Sequence, residues 1–213
     1  LSPENEEEYR SVLGAHLEEA IADFTQTIRA GHATAEILRS RGTAYMYRGE
    51  HGKAVRDFTQ ALQLEAKHGP TYLRRGERWR HPTFAQAARR KWDAAIADFS
   101  QAIALDDENA DAHYARANAF SRKRQYAEAV NDLSAALRRR PDDLQFLLAR
   151  GEAYLQYGAA AEAMKDYDAV LAVDAVNAAA YHGRGTACMA DGDFDAAMRE
   201  FTKAIRLDAR YAN

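Results

Sequence analysis

Apolar residues recur at helical spacing along the chain, in short segments that polar turns separate. One such segment is LQFLLARGEAYLQYG, in which Leu147 and Tyr154 fall on one helical face and Gly158 forms a typical helix end. The next is AAEAMKDYDAVLAV, in which Ala163 and Tyr167 share a face. The pattern predicts two amphipathic helices joined by a tight turn.

The same pair of segments repeats along the chain. The first marker is an acid followed by a large apolar residue, at Asp23-Phe24, Asp57-Phe58, Asp98-Phe99, Asp132-Leu133, Asp166-Tyr167 and Glu200-Phe201. The second marker is Arg followed by a small residue, at Arg41-Gly42, Arg75-Gly76, Arg116-Ala117, Arg150-Gly151 and Arg184-Gly185. Both markers have a 34-residue period with one 41-residue interval. Agreement between two independent markers predicts a repeat protein with one seven-residue insertion.

Within a unit, small and aromatic residues have fixed spacing. A small residue is followed by an aromatic, then an alanine, a second aromatic and a second alanine, as in Gly42, Tyr45, Ala54, Phe58 and Ala61. This pattern resembles the tetratricopeptide repeat. The recurrent glycine must have a packing reason, because glycine inside a helix costs about 1 kcal/mol relative to alanine. We expect close approach of the paired helix at its own alanine.

The resemblance implies an all-α fold, a right-handed α-solenoid of about six antiparallel helix pairs. We expect twelve helices, no strand and a single domain over residues 1–213. The expected units are a degenerate one at 1–34, then 35–68, 69–109 with the insertion, 110–143, 144–177 and 178–211. The segment ENEEEYRSV lacks the small residue of a regular first helix.

The recurrent arginines face recurrent acids. The arginines are Arg41, Arg75, Arg116, Arg150 and Arg184, and the acids are Asp57, Asp98, Asp132, Asp166 and Glu200. A charge repeated at one register in every unit is poorly suited to recognising a unique ligand. We therefore predict structural ion pairs within or between neighbouring units.

Composition narrows the functional classes. The net charge of −3 does not favour nucleic acid as a partner, and no apolar run is long enough for a membrane span. Cys188 is the only cysteine, so no intrachain disulfide can form, and no Cys/His cluster has the spacing of a metal site. The compartment stays open, with the cytoplasm slightly favoured.

Catalysis is not indicated by any motif. The segment HGRGTA has only two glycines and lies within a predicted helix, which argues against a dinucleotide loop. Cys188 occupies the first aromatic position of its unit, so we expect a buried, inert thiol. The sequence predicts a non-enzyme with no cofactor, no metal and no small-molecule substrate.

The resemblance implies that first helices line a concave groove that binds a peptide or a protein. Residues at the groove positions are predicted partner contacts: Arg39, Tyr47, Arg74, Glu77, Arg80, Tyr114, Asn118 and Arg122. Thr43, Glu152, Gln156, His182 and Thr186 complete this inner face. The family's subgroup that grips a C-terminal carboxylate is matched only in scattered positions, and Asp111 would repel that carboxylate.

Three functional hypotheses remain. The leading one is a non-catalytic scaffold for protein–protein interaction. The alternative is a regulatory or substrate-recruiting arm of a larger enzyme whose catalytic domain lies outside these residues. RNA binding by one base per unit is weaker, because the groove positions lack a recurring polar pair that could read bases.

The insertion around residues 80–92 concentrates basic and aromatic residues. Pro82 should end the first helix, and Thr83 could cap a lengthened second helix that starts at Phe84. Arg89, Arg90 and Lys91, with the aromatic residues Trp79, Phe84 and Trp92, could form a docking site for an acidic segment. The alternative is a tolerated loop with a solvated basic face.

The final helix, near residues 194–207, has an apolar side with no following unit in the sequence. Repeat proteins need a polar terminal cap to stay soluble. We therefore expect either a longer parent protein or end-to-end contact between copies of the chain.

Overall fold

A computed structural model of the protein describes residues 3–79 and 88–212, with side chains described for residues 14–78 and 91–210. These residues form eleven α-helices and a final turn of 3-10 helix, and they contain no strand. The helices are α1 Pro3–Arg29, α2 Ala35–Tyr47, α3 His51–Leu64, α4 Gly69–Trp79, α5 Ala88–Leu105, α6 Ala110–Arg122, α7 Tyr126–Arg139, α8 Leu144–Tyr157, α9 Ala160–Val173, α10 Ala178–Ala190 and α11 Phe194–Leu207.

The chain divides into two compact halves, an N-terminal half, Leu1–Asp107, and a C-terminal half, Glu108–Asn213. In the N-terminal half, α2 pairs with α3 and α4 with α5, and α1 packs on α2. In the C-terminal half the pairs are α6 with α7, α8 with α9, and α10 with α11. The short turns inside these pairs require each second helix to run back along the first. The all-α fold of antiparallel helix pairs is therefore confirmed.

Helix starts follow from capping residues at the repeat period. The side chains of Asn109, Asp143 and Asn177 precede α6, α8 and α10 and accept hydrogen bonds from backbone N–H groups of the first turn. The distances are 2.9 Å to the nitrogen of Ala112, 3.2 Å to that of Phe146 and 3.0 Å to that of Ala180. Each cap typically contributes about 1 kcal/mol.

Helix ends within the pairs rely on a residue in the left-handed conformation. Gly158 has φ 88° at the end of α8, and Arg124 has φ 61° at the corresponding turn after α6. Such a residue satisfies the last carbonyl groups of the helix and reverses the chain. Arginine adopts this conformation less readily than glycine.

The first 34 residues differ from the prediction. They contain one continuous helix, α1, of 27 residues instead of a degenerate helix pair, so the prediction of twelve helices in six pairs is wrong in this unit. The position equivalent to Gly49 and Gly158 is Ala15, which lies inside α1. Because alanine disfavours the left-handed conformation, nothing at this position ends the helix.

Glycines at the repeat register contact aromatic rings, not the alanine that the sequence had suggested. A Cβ atom on Gly42 would lie 2.8 Å from Phe58, and one on Gly151 would lie 2.8 Å from Tyr167. The paired helix does approach closely, but its aromatic residue fills the space above the glycine. In the repeat where Ala117 replaces the glycine, Leu133 replaces the aromatic residue. A larger residue on the first helix is thus matched by a smaller residue on the second helix.

Candidate functional site

The recurrent arginines all reach the acids predicted for them, which confirms the ion pairs. The shortest nitrogen–oxygen distances are 2.8 Å for Arg41–Asp57, 2.6 Å for Arg75–Asp98, 2.7 Å for Arg116–Asp132, 2.6 Å for Arg150–Asp166 and 3.3 Å for Arg184–Glu200. All five acids are buried. Their charges therefore serve the packing of the helices.

These arginines also join consecutive repeats. Nη1 of Arg41 donates to Oγ1 of Thr25 at 3.1 Å, and Nη1 of Arg150 donates to Oγ of Ser134 at 3.3 Å. The hydrogen bond to Asp166 raises the pKa of the Arg150 guanidinium above its ordinary value, against the opposing effect of burial. Groups committed in this way are structural and unavailable to a ligand.

A cavity of about 260 Å³ lies between α6 and α8 in the C-terminal half. Asn118 and Arg122 line it from α6, and Glu152 and Gln156 line it from α8. These four polar side chains form no hydrogen bond or ion pair with any residue that the structure describes. Two of the predicted contacts, Asn118 and Arg122, thus lie in one cavity with Glu152 and Gln156, which also belong to the predicted inner face.

A second cavity of about 290 Å³ lies between α8 and α10. Glu152 and Gln156 border this cavity as well, and His182 and Thr186 line it from α10. The four positions were predicted as parts of the inner face. The first helices of the C-terminal half therefore present a continuous polar surface over two neighbouring cavities.

The N-terminal half has its own cavity of about 430 Å³, lined by Arg39, Thr43 and Arg74. Arg39 pairs with Glu65 at 2.5 Å, and this hydrogen bond lowers the pKa of the Glu65 carboxyl group. Nη1 of Arg74 donates to Oγ1 of Thr43 at 2.9 Å. These two predicted contacts line one cavity, and both already have protein partners.

The remaining predicted contacts occupy different environments. Tyr47 is 70% exposed at the end of α2. Glu77 is partly exposed, with a carboxylate oxygen 3.8 Å from Arg78. The ring of Tyr114 stacks on buried Phe146 with centroids 4.9 Å apart, so most of this side chain packs in the core.

The insertion is described only in part. Lys91 is partly exposed, whereas Arg80 and the side chains of Arg89 and Arg90 lie outside the described residues, as do Pro82, Thr83 and Phe84. Helix α5 is described from Ala88 and has 18 residues, four more than α3. This length agrees with the predicted lengthening of the second helix. The docking role of Arg89, Arg90 and Lys91 stays a prediction.

Sequence reasoning missed several residues of the C-terminal cavities. Ser121 and Tyr126 line the first cavity, and Leu148, Leu155 and Tyr167 line the second. The only signal for Tyr167 in the sequence was its position in the second helix, where the other repeats carry Phe or Leu.

The last helix exposes apolar side chains. Phe194 and Met198 are 68% and 67% exposed, and Leu207 is 43% exposed. In α9 the equivalent of Met198 is Met164, which is partly buried where α9 packs on α10. End-to-end contact between copies through the exposed face of α11 stays a prediction.

Two further features of the described residues are their metal-binding side chains and the hydropathy of their helices. These residues contain no group of three or more His, Cys, Asp or Glu side chains that could hold a metal ion. Within the same part of the chain, every helix is too short or too polar to cross a membrane. The cavities of both halves and the exposed face of α11 are the candidate functional surfaces.

Cys188 is half-buried, so the expectation of a buried thiol is wrong. Burial raises the pKa of its thiol, and the negative charges of Asp193 and Glu200 raise it further. A raised pKa leaves less thiolate at a given pH, and the thiolate is the reactive form. We expect Cys188 at pH 7.5 to react with a disulfide reagent several-fold more slowly than the same chain unfolded in urea. An equal or faster rate in the folded protein would contradict this.

Three family models match the chain. A model described as TPR repeat matches residues 87–123, and two described as tetratricopeptide repeat match residues 114–172 and 178–211. Together the matches cover more than half of the chain. A search of curated proteins finds no match.

Solved structures with the same fold cover most of the chain. MamA from Desulfovibrio magneticus RS-1 has 18% identity and a TM-score of 0.73, over 83% of this chain and 96% of its own. YrrB, described as a TPR protein with an unusual peptide-binding site, has 20% identity and a TM-score of 0.73, over 87% and 92%. The C-terminal part of a TPR repeat-containing protein from Cytophaga hutchinsonii has 18% identity and a TM-score of 0.76, over 95% and 79%. At sequence identities this low, the similarity between these structures and this chain concerns the fold alone.

Proposed function

We propose that this chain, which belongs to the tetratricopeptide repeat family, is a non-catalytic scaffold that binds a peptide or protein partner along its first helices. The repeat fold supports an interaction scaffold in general terms. The finer proposal rests on the polar side chains over the C-terminal cavities. It concerns a protein or peptide partner, with no nucleic acid or small-molecule substrate.

The observation that carries the proposal is the contrast between two sets of charged groups. Arg150 and Asp166 satisfy each other within the fold. Asn118, Arg122 and Glu152 line a cavity and have no partner among the described residues. Polar groups that are held on rigid helices without internal partners can bind a ligand without first losing a protein contact. Arginine is also enriched among the residues that dominate binding energy at interfaces.

Affinity capture with a triple variant tests this proposal. Changing Asn118, Arg122 and Glu152 to alanine should reduce the captured partner by about 10-fold or more, because interface anchors each cost more than about 1 kcal/mol when truncated. Quantitative mass spectrometry of the captured proteins measures the loss.

The matched control changes Asn131, Arg138 and Glu162 to alanine. These residues lie exposed on the second helices α7 and α9, and they carry the same three side-chain types. The control should retain the partner. Equal retention by both triple variants, with helical content unchanged, would refute binding at the first helices of the C-terminal half.

A further inference from the structure

Tyr167 carries a hydroxyl group at a position where the other units carry phenylalanine or leucine. Tyr167 is only 3% exposed, yet its side chain lines the cavity between α8 and α10. The hydroxyl group makes no hydrogen bond to any described residue, although buried phenols usually find a partner. Burial, and then the charges of Glu152 and Asp166, raise the pKa of this phenol, so the group stays protonated at neutral pH.

Two glycines make room for this ring. A Cβ atom on Gly151 of α8 would lie 2.8 Å from Cζ of Tyr167, and a Cβ atom on Gly183 of α10 would overlap the same ring carbon. In the preceding unit the equivalent side chain, Leu133, packs with Ala117 and Ala149. The pair of glycines is thus matched to the larger ring, which extends to the cavity.

The cavity combines apolar walls with one unpaired carboxylate. Leu148 and Leu155 line its α8 side, and Glu152 lies between them along the same helix. Glu152 forms no ion pair or hydrogen bond with any described residue. Among the described residues, no lysine or arginine lines this cavity, and its nitrogen-bearing side chains are those of Gln156 and His182.

The volume limits what the cavity can hold. At about 290 Å³ it falls just below the range of about 300–1,000 Å³ typical of small-molecule pockets. One long side chain of a bound peptide suits this space. Lysine and arginine have aliphatic stems that pack on apolar surface and a charged end that seeks a carboxylate. A neutral phenol and the amide of Gln156 supply further oxygen acceptors for their N–H groups.

We infer that the cavity between α8 and α10 receives a basic side chain, lysine or arginine, of the bound peptide, with Glu152 pairing its charge and the Tyr167 hydroxyl accepting a hydrogen bond from it. This inference rests on the proposed function, since it names the chemistry of the partner at the same surface. Arginine fits the several acceptors better than lysine, because its planar group presents five N–H donors.

A phage-displayed library of random dodecapeptides, selected on the immobilised full chain, tests the inference. The enriched peptides should align with lysine or arginine at one fixed position. Synthetic peptides from this set should bind the Glu152→Gln variant about 10-fold more weakly and the Tyr167→Phe variant about 3-fold more weakly. Phenylalanine stands at this position in other units, so Tyr167→Phe should fold normally.

Glu162→Gln is the matched control, since it removes the same charge from an exposed position of α9. Binding to this variant should stay unchanged, which separates the cavity from a general attraction of basic peptides. Peptides without a fixed basic residue, or full binding by Glu152→Gln, would overturn the cavity assignment and leave the scaffold function standing. A selection that enriches no peptide would overturn the peptide-binding function together with the cavity assignment.

Discussion

Replacing Arg150 with methionine is expected to lower the free energy of unfolding by about 3 kcal/mol. The substitution leaves Asp166, which is 4% exposed, without its bidentate partner in the core between α8 and α9. A buried charge without a counter-charge is far less stable than a paired one. Urea denaturation followed by far-ultraviolet circular dichroism gives the change.

The double substitution separates the lost ion pair from the unpaired charge. Adding Asp166→Asn to Arg150→Met removes the orphaned carboxylate, so the double variant should be more stable than Arg150→Met alone. Asp166→Asn by itself should cost less than Arg150→Met, because the freed Arg150 side chain is 23% exposed and can reach water. If the double variant is the least stable of the three, the buried charge is not the source of the effect.

The final repeat offers an internal comparison. Arg184 lies 3.3 Å from Glu200 and also contacts Asp168 at 3.0 Å, and Glu200 has a second cation in Lys203 at 3.4 Å. Arg184→Met therefore leaves Glu200 with a remaining counter-charge. We expect it to cost less than half as much as Arg150→Met.

The repeat period and the ion pairs were predictable because both depend on helix geometry alone. Two helices that pair at a fixed register place residues sixteen positions apart next to each other, as in Arg41 and Asp57. A charged residue at such a position must find a partner when it is buried. The sequence pattern therefore contained the contact as well as the helices.

The continuous helix α1 could not be predicted from the repeat, because the repeat itself suggested a turn. The decisive feature is a missing residue type. Ala15 replaces the residue that takes positive φ at Gly49, Arg124 and Gly158. Arg124 shows that glycine is not required at this turn, so the absence of glycine alone was a weak signal in the sequence.

The candidate site was only partly predictable, because the cavities form between neighbouring repeats. Asn118, Arg122 and Glu152, which the sequence placed on the inner face, line one cavity. Their role as partner contacts stays a prediction. Tyr167 belongs to a second helix, and the series Phe, Phe, Leu, Tyr, Phe suggested only a core position. Its access to the cavity depends on Gly183, which lies in the next unit and follows no repeat rule visible in the sequence.

Gly183→Ala is expected to lower the free energy of unfolding by about 1–3 kcal/mol, although alanine is the better helix former. The added Cβ atom would overlap the Tyr167 ring, which is held on its other side by Gly151. A crowded core must shift side chains or backbone, and that cost exceeds the gain of about 1 kcal/mol in helix propensity. Urea denaturation of the full chain measures the net effect.

Two further variants identify the ring as the cause. Gly52→Ala makes the same change in α3, where the added Cβ atom would meet nothing within 4 Å apart from the adjoining backbone of its own helix. This variant should stabilise the protein by about 0.5 kcal/mol. Combining Gly183→Ala with Tyr167→Leu copies the arrangement of Ala149 and Leu133 in the preceding unit. The cost of Gly183→Ala should be smaller in the leucine background than in the wild type, because the shorter side chain frees the space. An equal cost in both backgrounds would mean that the α10 backbone, and not the Tyr167 ring, requires glycine at this position.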